Sequence, residues 1–257
     1  MSLRTLFAAT TALLLTSAAA NAAQVAALIG GDTIAMVDTA QKKATGTVKV
    51  SGISGKLVGI DVRPADGLLY GLVDDGTVVT IDKDGKATMK SKLDTMLNKG
   101  VTATVDFNPV ADRLRVMGSD GMSLRANVDD GKVTKDGDHK YAETDMHKGE
   151  KPNVIAGAYT NSVKGTKETA LFNIDGTIGA LVKQAPPNDG ILGAVGKLGI
   201  KPAAAAFDIW SDGTKNEAWL MADGTLYSVD LTNGKATEAA KISGVTGQVT
   251  DIAIIGM

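Results

Sequence analysis

The chain contains no cysteine, and this absence limits both its stability and its chemistry. Without cysteine there are no disulfide bonds, no thiol nucleophiles and no cysteine-ligated zinc sites. Packing and hydrogen bonding alone must therefore stabilise the folded domain.

Aromatic residues are also scarce, and the chain has little net charge of either sign. Aromatic side chains make up 4% of the sequence, too few for the platforms on which bases stack. The formal net charge is −2, whereas nucleic-acid binding calls for a basic face. Neither a G-x-S-x-G elbow nor a Walker A loop nor a dinucleotide fingerprint occurs. These absences argue against a nucleic-acid partner and favour a non-catalytic protein.

The one long apolar run lies at the N-terminus. Arg4 precedes an apolar stretch at residues 6–15, and Ala20-Asn-Ala22 then offers a small-x-small cleavage site. This order is typical of a secretory signal peptide, and the run is too short and too interrupted for a membrane anchor. The sequence predicts a signal peptide at residues 1–22 and an exported mature domain at 23–257. That domain would be periplasmic or extracellular, without a membrane span.

Turn signals dominate the mature region. Asp-Gly pairs favour tight hairpin turns. The short apolar runs between these pairs are rich in β-branched residues typical of strands. Helical turns are expected only at residues 92–98 and 191–198. Asp-Gly occurs ten times, at Asp66, Asp75, Asp84, Asp120, Asp130, Asp136, Asp175, Asp189, Asp212 and Asp223.

A repeated unit organises these strands. Asp61 and Asp106 occupy matching positions 45 residues apart, and four-stranded propeller blades repeat every ~40–45 residues. Related units begin near Gly157 and Ala206, and the C-terminal segment 250–255 supplies the first strand that the N-terminal unit lacks. The pattern predicts an all-β fold, a five-bladed β-propeller of four strands per blade, whose terminal strands share one blade. A β-sandwich would explain the hairpins but not the recurrence.

Five motifs, in order, resemble the DUF4394 family across essentially the whole mature chain. The resemblance implies an exported bacterial protein with a propeller-like repeat fold, and it implies no activity. The motifs are Gly59-Ile-Asp-Val-Arg-Pro64, the stretch 105–127 containing Val-Asp-Phe-Asn-Pro-Val-Ala-Asp-Arg-Leu-Arg-Val and Ser-Leu-Arg-Ala-Asn, Ala158-Tyr-Thr-Asn161, Gln184-Ala-Pro-Pro-Asn-Asp-Gly190 and Val195-Gly-Lys-Leu-Gly199.

The aspartate that recurs in the first strand of the units is a candidate metal ligand. It appears as Asp61, Asp106, Asp208 and Asp251. First strands line the axis of a propeller, so these carboxylates would gather there and offer the hard oxygen ligands that calcium or another divalent cation prefers. The alternative is structural: each aspartate would accept backbone hydrogen bonds or pair with Arg63 and so join neighbouring blades.

A second candidate site combines basic and amide side chains. Guanidinium groups that share a strand face can bind a small anion through paired hydrogen bonds. In the alternative interpretation, the arginines pair with Asp106, Asp112 and Asp129. The predicted ligand-binding residues are Asn108, Arg113, Arg115, Arg125, Asn127 and Asn161.

Both histidines lie in one charged segment. His139 and His147 have carboxylates beside them, but their spacing matches no metal motif, and a zinc site there is the less favoured interpretation. The segment 136–145 is expected to be a loop, so its deletion should be milder than an equally long deletion of the C-terminal strand.

Three functions remain open after these observations. The favoured one is an exported, non-catalytic propeller that binds or scaffolds, with a small anion, a cation or an envelope protein as partner. The alternatives are a metal-dependent hydrolase of the lactonase type, with a cation at the axis, and a structural envelope protein.

Overall fold

The computed structural model describes residues 23–256, and these residues form strands and turns almost throughout. The predicted signal peptide lies outside the described residues. Within them, one short 3-10 turn spans Pro187–Asp189. No helix in this region is long and apolar enough to cross a bilayer.

Five separate sheets follow one another along the chain. Each blade has four antiparallel strands, and the blades are numbered from the N-terminus. The strands are, in blade 1, β1 (Gln24–Ile29), β2 (Thr33–Asp38) and β3 (Lys43–Lys49) with the C-terminal β21 (Val249–Gly256); in blade 2, β4 (Leu57–Val62), β5 (Leu69–Val73), β6 (Thr77–Ile81) and β7 (Ala87–Lys92); in blade 3, β8 (Ala103–Asn108), β9 (Arg113–Gly118), β10 (Ser123–Ala126) and β11 (Val133–Lys135); in blade 4, β13 (Val154–Tyr159), β14 (Leu171–Asp175), β15 (Ala180–Gln184) and β16 (Ile191–Lys197); and in blade 5, β17 (Ala206–Ser211), β18 (Asn216–Ala222), β19 (Thr225–Val229) and β20 (Ala236–Lys241).

The terminal strands share blade 1, as predicted. β21 pairs antiparallel with β1, and the register runs from Gln24 opposite Gly256 to Ile29 opposite Val249. The innermost strands β21, β4, β8, β13 and β17 contact one another in a closed ring. The fold is therefore a five-bladed propeller and not a two-sheet sandwich.

Hydrophobic residues fill the spaces between adjacent blades. Because successive side chains point to opposite faces, an inner or middle strand buries residues on both faces. Val25 and Ala26 illustrate this alternation: both are fully buried, yet they belong to the core clusters on opposite sides of blade 1. The outermost strand β7, by contrast, is largely exposed.

Several Asp-Gly pairs form the turns that their chemistry predicts, whereas residues 136–137 form none. Between β5 and β6, Gly76 adopts φ +88°, a conformation that costs glycine little. The side chain of Asp75 accepts a hydrogen bond of 2.8 Å from the amide of Thr77. The turn residues thus set the register of the hairpin.

The helical turns expected at residues 92–98 and 191–198 are absent. Residues 93–98 are irregular with a bend at 94–95 after β7 ends, whereas residues 191–197 form β16. Gly196 shows the reason for the second error: its backbone lies against the backbone of Asn233 in blade 5, where no side chain would fit. Contact between blades, which a local pattern does not reveal, favours the strand.

The segment between β11 and β13 is more than the dispensable loop expected from its charge. Its short strand β12 (Lys140–Tyr141) pairs parallel with β16 and gives blade 4 a fifth strand. The hydroxyl of buried Tyr141 donates a 2.7 Å hydrogen bond to Asp175. The segment is therefore not a simple loop, because it contributes buried contacts; that its deletion is milder than loss of β21 stays a prediction.

Candidate functional site

The four recurring aspartates lie on the innermost strands of blades 1, 2, 3 and 5. Their side chains surround the axis, and none is more than 8% exposed. We call this set the carboxylate ring; it consists of Asp61, Asp106, Asp208 and Asp251.

Each member of the carboxylate ring accepts a hydrogen bond from a backbone amide of the next blade. Asp251 accepts from Ile60, Asp61 from Phe107, Asp106 from Tyr159 and Asp208 from Ile254, over 2.6–2.9 Å. Three of the four also accept from the amide of the following residue in their own strand. These bonds are the contacts that the structural interpretation requires, although Arg63 is not the partner.

Blade 4 interrupts the carboxylate ring. No aspartate occupies β13, and Gly157 has no side chain to offer. A Cβ at Gly157 would collide with Oδ1 of Asn173, which lies opposite it on β14. Asn173 is fully buried, and its Oδ1 has no hydrogen-bond partner in the described structure. The ring therefore consists of four carboxylates around a five-fold arrangement of blades.

In the described structure, the carboxylates of the ring have no basic partner nearby to stabilise their charged form. Within residues 23–256, none of them pairs with a lysine, arginine or histidine. Burial raises the pKa of Asp208 to about 6. Burial, reinforced by repulsion from neighbouring members, also raises the pKa values of Asp61 and Asp106 well above their ordinary range.

Three members lie close enough to share one ion. One carboxylate oxygen from each of Asp61, Asp106 and Asp208 lies within 4.8 Å of the other two. In Asp106, one oxygen accepts the bond from Tyr159, and no bond involves the other in the described residues. The arrangement therefore offers three carboxyl oxygens as ligands at the axis.

A small cavity opens onto the ring from one side of the propeller. It measures about 210 Å³ and lies where the inner strands end, which we call the end face. Asp61 and Asp208 line it, with Trp210 and Ile254 beside them and Lys164 among the loop residues. Solutes can therefore approach the ring from the end face.

The predicted arginine cluster is held by internal partners. Arg115 is 1% exposed and pairs with Asp136; it also donates hydrogen bonds to Tyr159, Ser123 and Asn188. Arg125 pairs with the same Asp136 through two hydrogen bonds of 2.6 and 2.9 Å. The sequence interpretation missed Asp136, because 21 residues and a hairpin separate it from Arg115.

The remaining members of that predicted site serve mainly as turn and loop contacts. Arg113 donates to the backbone carbonyls of Ala111 and Asp112. Asn108 and Asn127 accept backbone bonds from the turns that follow them. Asn161 exchanges hydrogen bonds with Asn216 of blade 5. In the strand register Asn108 lies opposite Arg113 and Arg115 opposite Arg125, so these four side chains share one face of blade 3, whereas Asn161 lies in blade 4. Binding by the six residues stays a prediction.

Arg63 forms the second buried ion-pair network. The sequence suggested Arg63 only as a partner for the recurring aspartates. Its guanidinium donates two hydrogen bonds to Asp112 and two to Asp129, both in blade 3, and one to Tyr70. These bonds hold the pKa of Asp129 well below its ordinary value. Arg63 thus joins blade 2 to blade 3.

The histidines do not join the carboxylate ring. His139 is buried, both of its ring nitrogens lack partners in the described structure, and burial lowers its pKa to about 4. The ring of His147 packs against Tyr141, with centroids 5.3 Å apart. Neither histidine belongs to the group of possible metal ligands found among residues 23–256.

Two solved structures illustrate how the fold compares with known proteins. A structural-genomics protein of unknown function from Bacteroides thetaiotaomicron has a TM-score of 0.56 and 15% identity, covering 90% of this chain and 64% of that one. An auxiliary nutrient binding protein from Bacteroides ovatus has a TM-score of 0.50 and 10% identity, covering 87% and 57%. The chain thus spans less than two thirds of either protein, and these likenesses concern the fold alone. No curated protein matches the chain.

A family model described as "Domain of unknown function (DUF4394)" matches residues 33–253. This range begins with β2 and ends within β21, so it covers all five blades. It also contains each of the five motifs that carried the sequence resemblance. The chain belongs to the DUF4394 family.

Proposed function

We propose that this chain is an exported, non-catalytic binding propeller whose carboxylate ring holds a divalent cation, with calcium the best chemical match. The observation that carries the proposal is the approach of three carboxylate oxygens within 4.8 Å without a basic partner. Calcium binds six to eight oxygen ligands, carboxylates among them. Export is supported by the three-part N-terminal segment.

The amide bonds of the ring are compatible with this role. A carboxylate oxygen has two lone pairs and can accept one amide hydrogen while it also binds a cation. The bonds to Phe107, Tyr159 and Ile254 fix the carboxylates in position before a cation arrives. A cation would then neutralise charges that burial otherwise makes costly.

The surroundings of the ring favour binding over catalysis. A lactonase-type hydrolase needs a general base beside the activated water. The two histidines lie in the segment that packs on blade 4, and the lining of the end-face cavity contains neither. We therefore favour a cation that completes the propeller axis over one that activates water.

Calorimetric titration of the chelator-treated mature protein with calcium chloride tests the proposal. We expect one ion per chain and a higher melting temperature with calcium, because binding to the folded state stabilises it. Asp106→Asn should abolish binding, since asparagine can still accept the Tyr159 amide but lacks the charge. Asp84→Asn, in an exposed turn, is the matched control and should bind normally.

Two outcomes would contradict the proposal. The first is an unchanged melting temperature with no heat of binding at millimolar calcium. The second is calcium-dependent hydrolysis of lactones by the parent that Asp106→Asn abolishes, which would establish the hydrolase alternative. Export is tested separately by mass spectrometry of the secreted protein: an N-terminus at Ala23 is expected, and retention of Met1 would contradict it.

A further inference from the structure

A second cavity lies at the opposite end of the axis, where the inner strands begin, which we call the start face. It measures about 430 Å³, within the usual range for small-molecule sites. Residues from four blades line it, just before or at the start of β8, β13, β17 and β21. They include Thr102, Asn153, Ala203, Ala204, Gln248 and Thr250.

This cavity continues outward into a neighbouring one. The second cavity, about 240 Å³, runs between blades 5 and 1 and shares Ala203, Ala204, Gln248 and Val249 with the first. The two form one channel across the surface, which we call the start-face groove. Its shape suits an elongated ligand.

The lining of the start-face groove is polar but almost uncharged. The axial part contains hydroxyl and amide side chains among alanines, and the one charged lining residue is Asp223 at the outer end. The side chains of Asn153 and Gln248 make no hydrogen bonds to other described residues, so both amides can reach a ligand. No aromatic side chain lines the groove to stack on a sugar ring.

Two backbone segments along the groove have unused hydrogen-bonding groups. Residues 203–205 and 245–248 make no backbone hydrogen bonds to the rest of the described chain, although β17 pairs with β18 and β21 with β1 immediately afterwards. The register of β21 also shifts beside the groove, between Leu28 and Ile29 of its partner strand. Unpaired N–H and C=O groups are the means by which proteins bind extended peptides.

We propose that the start-face groove binds a short, extended and uncharged peptide segment through its backbone. The unpaired groups of residues 203–205 and 245–248 bond to the peptide main chain, the amides of Asn153 and Gln248 add contacts, and the alanines admit small side chains. The groove opens at the start face, whereas the cavity that reaches the carboxylate ring opens at the end face, so either proposal can fail without the other.

Nuclear magnetic resonance titration with an acetylated and amidated tetrapeptide of alanine and serine tests this proposal. We expect saturable shifts in the backbone amides of residues 203–205 and 245–248. The same peptide with N-methylated amides should bind at least about tenfold more weakly, because it lacks the N–H donors. Equal binding of both peptides, or no saturable shift, would overturn the proposal, as would shifts at these residues caused by maltose but not by the peptide.

A pair of alanine substitutions separates groove binding from non-specific contact. Ala203→Phe places a large side chain in the groove and should raise the dissociation constant at least about tenfold. Ala111→Phe is the matched control, because Ala111 is also exposed but lies in the turn between β8 and β9 on the end face. It should bind as the parent does; equal loss in both variants, or none in Ala203→Phe, would contradict the assigned site.

Discussion

The carboxylate ring and the outer hairpin turns use the same residue in opposite environments. Burial raises the pKa of Asp208 at the axis to about 6, whereas a hydrogen bond from Lys92 lowers the pKa of Asp75, in an exposed turn, to about 2. Both side chains accept backbone amides. The difference comes from solvent and cationic partners: the turn supplies both, and the axis supplies neither.

The buried ion pairs of blade 3 provide a third environment, in which a carboxylate is buried but its charge is compensated by arginines. The side chain of Asp136 is only 4% exposed, yet it pairs with both Arg115 and Arg125. Its burial is therefore compensated, whereas burial at the axis is not. The same substitution should accordingly have opposite effects in the two places.

Removal of β21 should have the largest effect, because it breaks the ring itself. Deletion of residues 250–257 removes Asp251 and exposes the paired groups of β1. Each buried backbone group left without a partner costs ~1–3 kcal/mol, so several together rival a total stability of ~5–15 kcal/mol. Thermal denaturation should show no cooperative transition near that of the parent.

Shortening of the exposed loop at residues 164–167 provides the control for this truncation and should leave the melting transition cooperative. A truncated protein that melts with the parent would show that closure by β21 does not stabilise the propeller.

Neutralisation of one carboxylate in each buried environment should give effects of opposite sign. Asp136→Asn leaves two arginines without their anion, and loss of one partner of a buried pair costs ~3–5 kcal/mol. Asp106→Asn, measured in chelator at pH 8, keeps an acceptor for Tyr159 and removes repulsion, so its stability should equal or exceed that of the parent. Urea denaturation measures both. Equal destabilisation of the two variants would mean that the negative charge of the carboxylate ring is compensated.

The smallest effect concerns pH. Because the folded-state pKa of Asp208, about 6, exceeds its unfolded value of 3.8, its stabilising contribution is full below pH ~4 and is lost as pH rises through 6. His139 acts in the other direction: its folded-state pKa of about 4 lies below 6.5, so stability falls as pH drops from 6.5 through 4.

Urea midpoints measured in chelator between pH 4 and 8 test this dependence. Asp208→Asn should reduce the loss of stability on the alkaline side without removing it, because the pKa values of Asp61 and Asp106 are also raised. Asp75→Asn, in the exposed turn, should leave the shape of the profile above pH 5 unchanged. A parent profile that rises steadily to pH 8 would contradict the assignment of raised pKa values at the axis.

Much of the architecture could be predicted from local signals. The Asp-Gly turns, the 45-residue spacing of Asp61 and Asp106 and the missing first strand together indicated five blades closed by the C-terminus. The position of Asp208 near the axis also followed, because an inner strand must line it. Residues 191–197 were misread, because the strand there depends on contact with blade 5.

The partners of the charged side chains were harder to predict from the sequence. The sequence offered Asp106, Asp112 and Asp129 for the arginines of blade 3, whereas Arg115 and Arg125 pair with Asp136. Arg63 takes Asp112 and Asp129 instead. Proximity in sequence suggested the right kind of interaction but the wrong pairs, because partners face each other across strands and blades.

By itself, the sequence determined the repeat, its strand-and-turn composition and the positions of the recurring aspartates, since these depend on local backbone preferences and on alternation along a strand. Tertiary structure alone decided which carboxylates are compensated. Asp136 and Asp106 both belong to blade 3, yet one meets two guanidinium groups and the other faces the axis beside further carboxylates. That difference depends on the closure of the ring, which brings together residues that are distant in sequence.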